Sequence, residues 1–516
     1  MSEIYRPELI FCLCAASGTD TNAVVAALST ELRDVGYNPH VIRLSALMRE
    51  IPGCEILKSI KFEDLRIRRS MEAGNRIREA VGFNDAMVRL AITEISKIRQ
   101  EIEAGSGGVP LESNCFIISS LKRREEIDTL RALYGQRVFL ISIYENAERR
   151  IENLSNKIAR SRNNSDFDAF KSRAKTLSDI DRKESSSVRG QRLEDVYPTA
   201  DVFFRSRDNL REDVRRFIQL LFGAPFITPN IDELLMFHAR SAAQRSADLS
   251  RQVGAVIATK SGEILSTGCN EVPRAGGGVN WDDVSGSDAD YRDYKIGQDA
   301  AAAAKKEIVS DIFEKLKKAK WLLLEKQSMS SDELAQVALF SEEKPLSSAM
   351  VSSILEFGRI VHAEMAAICD AALRGISLRQ STLYCTTFPC HMCARHIIAS
   401  GIERVVYIEP YPKSRAKKLY KQAISVDDDR DAETDAVKFS SFVGVAPSRF
   451  LDLFEMVPRK DAQGYARDPG APSRGIPKGV ARGSLSAELE AEYISTVSQT
   501  DWSKIAPISG EDCFDG

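Results

Sequence analysis

The side chains best suited to chemistry lie between residues 362 and 393. His362, Ala363 and Glu364 stand in a row, and 25 residues beyond that glutamate the chain reads Pro389-Cys390-His391-Met392-Cys393. One imidazole and two thiols form a donor set suited to zinc. Three protein ligands leave the fourth tetrahedral position open, as in a catalytic rather than a structural site. A carboxylate two residues from the imidazole is placed to move protons to and from water polarised at that position. Either piece alone reads equally well as buried structural cysteines or a satisfied histidine. The two in order, with glutamate and proline in place, point to a metal.

The elements that must hold these residues follow from local pattern. Residues 362–374 (HAEMAAICDAALR) are rich in Ala and Leu and end at Gly375. That predicts a short helix with His362 at its start and Glu364 in its first turn. Residues 390–400 (CHMCARHIIAS), followed by Gly401, predict a second. Cys390 and Cys393 are three apart, so both sulfurs can face one point. A helix N-terminus favours thiolate there, as does a metal. His391 and His396 are not read as ligands. His391 can line the pocket, and His396 packs or hydrogen-bonds along its helix.

The chain has 516 residues, too many for one ordinary domain, and 43% of them are hydrophobic, enough for real cores. Its net charge of −3 counts against a dedicated polynucleotide binder, which carries a basic footprint. Ten cysteines in this length, two of them wanted by a metal, suit a reducing cytoplasm rather than a disulfide framework. No apolar run approaches the roughly 20 residues of a membrane span. The apolar stretch after Arg6 reads as a first buried strand rather than a signal peptide.

That stretch, Glu8 to Ala16, ends in Ser17-Gly18-Thr19-Asp20, and an amphipathic helix and a second strand (Pro39 to Leu44) follow. Strand, glycine-containing turn, helix, strand is the opening of a P-loop fold. The phosphate loop is degenerate: Gly18 keeps its place, but Leu13 stands for the first glycine, Thr19 for the lysine and Asp20 for the hydroxyl residue. Without the lysine the loop lacks its main phosphate charge, and Asp20 repels phosphate. It is therefore expected to be structural, nucleotide-sensing or partner-binding. Strands and helices alternate to Phe204, which predicts a mostly parallel α/β sheet. These features resemble nucleoside and nucleotide kinases of the P-loop class. In that resemblance Arg149, Arg150, Arg160 and Arg162 sit near the lid; a solvated basic helix face explains them as well.

The pattern restarts near Pro225 to Pro229. The expected organisation is a domain over 1–225, a second over 226–457 with a long insertion near 275–355, and over 458–516 a C-terminal tail, lying at the surface or partly disordered. Within the second, Arg251 to Ile257 and Gly268 to Arg274 resemble the opening of deoxycytidylate deaminases. The pattern H-x-E…P-C-x-x-C resembles the signature of zinc-dependent nucleobase deaminases. The resemblance implies a cytidine-deaminase-like α/β/α domain that binds Zn2+ through His362, Cys390 and Cys393. It gives Glu364 the role of proton shuttle. It also implies a contact from Asn270 to the sugar or base; Ala363 is a further candidate for substrate contact, and Arg274, Tyr411, Lys413 and Ser414 are candidates for phosphate contact. The insertion of about 85 residues carries Ile308, Val309, Ile312, Phe313 and Leu316 at helical spacing, which predicts one long helix over 299–327. Its lysines read as a solvated face rather than a nucleic-acid patch, and packing of the stretch across a subunit interface is an alternative. The acidic run Val426 to Asp435 reads as a solvated loop and Lys438 to Val445 as a last strand.

The order of the parts, together with Gly358 to Glu364 and Phe442 to Pro447, resembles the bacterial antiviral deoxycytidylate deaminases. That resemblance implies deamination of dCTP and dCMP, a homo-oligomer, and restraint by a small RNA in some members. A housekeeping dCMP deaminase and a polynucleotide-editing deaminase stay open as rivals.

Overall fold

The structure is a computed structural model that describes residues 6–106, 113–184, 187, 189–207, 209–282, 290–347, 349–354, 356–411, 414–427, 435–468, 477–480, 487–506 and 508. The chain forms two units, each mixed α/β with a six-stranded, parallel-rich sheet. One comprises residues 1–233 and 442–516, the other residues 234–441.

The first unit is built on apolar runs too dense for anything but a doubly covered sheet. β1 (Leu9–Ala15) is buried at every position and lies between β3 (Asn114–Ser119) and β4 (Val138–Tyr144). β2 (Asn38–Arg43) and β5 (Val202–Arg205) complete a parallel array in the order β2-β3-β1-β4-β5. The helices Thr21–Asp34 and Leu210–Leu221 close one face. Phe11 stacks on Phe139 at 5.6 Å there, and Phe217 meets both rings edge-on.

The second unit positions the chemistry. β6 (Gly254–Ala258) pairs antiparallel with β7 (Ile264–Cys269) and β8 (Thr382–Thr387). β9 (Arg404–Glu409), β11 (Val437–Ser441) and β10 (Ile424–Val426) extend β8 in parallel. The helix Ala363–Leu373 lies on this sheet through Ala363, Ala367 and Ala371, one small residue per turn, all fully buried. Gly268 makes the contact possible. A Cβ at that position would come 2.3 Å from the Ala363 carbonyl oxygen and 2.5 Å from the Ala367 nitrogen. Small side chains on the helix and none on the strand thus seat its first turn.

Three expectations need correction. The long helix of the insertion runs over Ala300–Lys318 and stops there, because Lys320 takes a left-handed φ of 59° and turns the chain. It packs against Ser331–Phe340; of the predicted apolar stripe Val309 is buried, Ile308, Phe313 and Leu316 are half-buried and Ile312 is exposed. The last strand is two. The chain leaves β11 at Ser441, and β12 (Gly444–Val445) pairs antiparallel with β5 in the first unit. The stretch expected to be a tail is partly ordered on the first unit. The helix Ala487–Ser498 packs on Ala86–Ser106, where Arg99 pairs with Glu490 at 2.6 Å and with Glu8 at 2.7 Å. Tyr134 donates its hydroxyl to the same Glu490. Of the acidic run, residues 428–434 lie outside the described residues, while Asp427 accepts a 2.7 Å hydrogen bond from Tyr407.

Candidate active site

His362 is the N-cap residue of the helix Ala363–Leu373, and Cys390 holds the same place on the helix His391–Ala399. Two helix starts therefore converge. The Cys390 sulfur accepts from the Cys393 amide at 3.4 Å. His362 Nδ1 lies 3.4 Å from Cys390 Sγ and 3.3 Å from Cys393 Sγ, and the two sulfurs are 3.6 Å apart. A tetrahedral zinc with Zn–S near 2.3 Å and Zn–N near 2.05 Å needs edges of about 3.8 Å between sulfurs and about 3.6 Å between nitrogen and sulfur. The three donors thus lie within a few tenths of an ångström of the fit. They also form the one metal-capable cluster of its kind among the described residues.

Electrostatics agree with that fit. The Cys390 thiol is lowered to about 4, chiefly by a hydrogen bond from Cys393 and then by His362. Its thiolate raises His362 to about 9, while that bond and burial hold the Cys393 thiol well above its ordinary value. Glu364, 4% exposed, is raised chiefly by burial and next by the Cys390 charge. Burial thus shifts Glu364 toward its protonated form, the direction that suits a group which both takes and gives protons.

Around these groups is a cavity of about 270 Å³. Asn270 and Tyr411 line it, as does Ala363. The Asn270 side chain accepts from the Val253 amide at 2.7 Å and donates to the Arg251 carbonyl at 2.8 Å. One Nδ2 hydrogen and one Oδ1 lone pair are left for a ligand. Arg274 is on an exposed turn away from the lining, and Ser414 is turned to the Pro389 carbonyl at 2.8 Å. Lys413 lies outside the described residues. His391 does not line the cavity, and its buried Nδ1 has no partner among the described residues.

Sequence reasoning missed the contribution of the insertion. Arg359 and Lys305 line the cavity, with Asp293 and Asp299. Arg359 is fixed by Asp293 at 2.8 Å and by the Tyr291 carbonyl at 2.8 Å. Lys305 has no ion-pair partner among the described residues. Arg251 also lines it, over the Tyr411 ring at 5.2 Å. Arg359, three residues before His362, was the one signal within reach.

The loop after β1 is held by contacts within the chain. Asp20 caps its own helix, accepting from the Asn22 amide at 3.1 Å. The Thr19 hydroxyl is buried without a partner among the described residues. Gly18 presses on Arg150, where a Cβ would meet the Arg150 carbonyl at 2.3 Å. Of the four arginines expected near a lid, Arg150 is bonded to Ser178 and the Glu145 carbonyl, and Arg162 to the buried Asp64. None of the four lines a cavity described here.

Two thiols and an imidazole at converging helix starts, with a buried carboxyl beside them, define a metal-site hydrolytic enzyme. Comparison with known proteins narrows the class. The profile of the "Cytidine and deoxycytidylate deaminase zinc-binding region" matches residues 229–409. Deoxycytidylate deaminase of Enterobacteria phage T2 is 33% identical over 173 residues, 34% of this chain and 77% of the relative. That of Enterobacteria phage T4 is 32% identical over 176 residues, 34% of this chain and 75% of the relative. A crystal structure of dCMP deaminase from the cyanophage S-TIM5 in complex with dCMP and dUMP aligns at 18% identity and a TM-score of 0.22, covering 42% of this chain and 100% of that one. The chain belongs to the deoxycytidylate deaminase family. It is a deoxycytidine nucleotide deaminase with a zinc-binding region.

Proposed function

We propose that the protein catalyses zinc-dependent hydrolytic deamination of dCMP, dCTP or both, giving the uracil nucleotide and ammonia. The observation that carries this reading is the cluster of His362, Cys390 and Cys393 beside the buried Glu364 in one cavity. Zinc held there would bring the pKa of a water molecule to about 7. Glu364 would take the first proton of that water and give it to N3 of the ring, then carry the second, from the hydroxyl added at C4, to the leaving amine as the C4–N bond breaks. Phe388 and Val253 supply apolar wall for the base, and Asn270 offers its remaining donor and acceptor. Lys305 and Arg359 supply positive charge for the phosphate end, with Lys413 proposed from the sequence.

The wider role we propose is removal of cytosine nucleotides in anti-phage defence, with the first unit as a kinase-like module whose phosphate loop no longer works. The self-capping of Asp20 supports the second part. Purified protein incubated with dCMP, dCTP and cytidine, with and without chelator, tests the chemistry by uracil product. Product from the nucleotides that chelation abolishes is expected; chelator-resistant turnover refutes the metal mechanism. Phage plating with the wild-type and Glu364→Ala genes tests the role, and equal plaque counts refute it.

A further inference from the structure

A cavity of the first unit shares no lining residue with the deaminase site. It encloses about 590 Å³, within the range of small-molecule sites. It opens at the carboxyl ends of β1, β2 and β3, lined by Ser17, Arg43 and Ser119 from the three strand ends. The chain leaves β1 toward β2 on one side and leaves β3 toward β4 on the other, so the sheet reverses direction between β1 and β3. Ligands of open α/β sheets bind in the crevice at such a reversal.

The walls of this cavity are of two kinds. Six cations line it, and carboxylates match three: Glu63 holds Arg66, Glu126 holds Arg78 and Asp181 holds Lys122. Arg43, Arg49 and Lys157 have no ion-pair partner among the described residues. Met48, Met71 and Met87 also line it, buried, polarisable side chains that suit a flat ring. Gly74 sits in the lining, where a Cβ would find only the Arg78 guanidinium at 3.5 Å, so the helix Glu63–Val81 leaves open space toward the cavity.

Within the cavity's own lining, the loop after β1 already holds an anion of the chain, Asp181. The fully buried Asp181 carboxylate accepts from the Ser17 amide at 2.7 Å, the Ser17 hydroxyl at 2.9 Å and Lys122 at 3.0 Å. A ligand phosphate cannot use those donors while Asp181 does.

We propose that this cavity binds a nucleoside polyphosphate, with its phosphates on Arg43, Arg49 and Lys157 and its base on the methionines. Because Asp181 occupies the loop, the site holds its ligand without phosphoryl transfer, as a sensor does. The inference is independent of the deaminase reading, since no residue of it belongs to that site.

Equilibrium dialysis of the full-length, zinc-loaded protein with labelled ATP, GTP and UTP tests it, with inorganic pyrophosphate as control. None of these probes carries cytosine. At least one nucleotide is expected to bind at one per chain. Its Kd should rise about tenfold or more in Arg43→Glu. Gly74→Met, which fills the cavity, should weaken binding similarly. Unchanged zinc content and circular dichroism would certify both folds, and Arg43→Glu alone suffices if Gly74→Met unfolds. Absence of binding at millimolar nucleotide would overturn the proposal. So would affinity unmoved by folded variants, or pyrophosphate bound as tightly as any nucleotide.

Discussion

Replacing Gly268 by alanine adds one methyl group more than a dozen residues from any ligand in sequence terms, yet it is expected to damage catalysis. That Cβ would lie 2.3 Å from the Ala363 carbonyl oxygen, 2.5 Å from the Ala367 nitrogen and 3.0 Å from the Ala366 Cβ. Ordinary contact needs about 3.5 Å, so strand and helix must part by about 1 Å. Overpacking of this kind costs about 1–3 kcal/mol. For a unit of residues 234–441 that lowers Tm by about 2–12 °C. The shift also moves the first turn that carries His362 and Glu364, and a displacement of about 1 Å can lower turnover about 10²-fold. Calorimetry, zinc analysis and dCMP turnover on the purified variant measure all three effects. Wild-type Tm together with wild-type turnover would refute the claim that this backbone contact seats the active-site helix.

Other consequences are as direct. At neutral pH, without metal, His362 and the Cys393 thiol each hold a proton, because both pKa values are raised, His362 to about 9. Zinc must displace both, so its apparent affinity falls as pH falls, by up to about 10²-fold per pH unit below 9; competition with a chelating indicator between pH 6 and 8 reads the slope, and a flat line contradicts it. Lys305→Ala removes positive charge from the cavity and is expected to raise KM for dCMP several-fold with kcat little changed, whereas an unchanged KM removes Lys305 from the phosphate end. Asp64→Ala leaves Arg162 and Arg173 without their shared, fully buried carboxylate, at a cost of about 3–5 kcal/mol visible in denaturant unfolding; a loss under about 1 kcal/mol would show the pair to be unimportant.

What could be read from the sequence was what is local. His362, Glu364, Cys390 and Cys393 belong to two short helices, and the three donors meet because each helix begins where its ligand stands. Asn270 reaches the cavity for a similar reason, one residue past the end of β7. That β1 to β5 form a parallel sheet also followed from dense apolar runs separated by helices, though their order did not. What could not be read depends on distant contacts. Lys305 and Asp299 enter the cavity from an insertion whose placement no periodicity encodes. β12 has two residues, too few to show a pattern, so nothing announced the return of the chain to the first unit. Asp181 meets Ser17 across 164 residues, and only that contact explains how a loop without its lysine is satisfied.

The central claim is that a metal-holding triad and a separate proton carrier act together. Zinc content and dCMP turnover, measured side by side on Glu364→Ala and Cys390→Ser, test it most directly. Glu364→Ala is expected to keep its zinc and lose about 10²- to 10⁴-fold in turnover, while Cys390→Ser loses both. Near-normal turnover in Glu364→Ala, or full zinc in Cys390→Ser, would contradict the account.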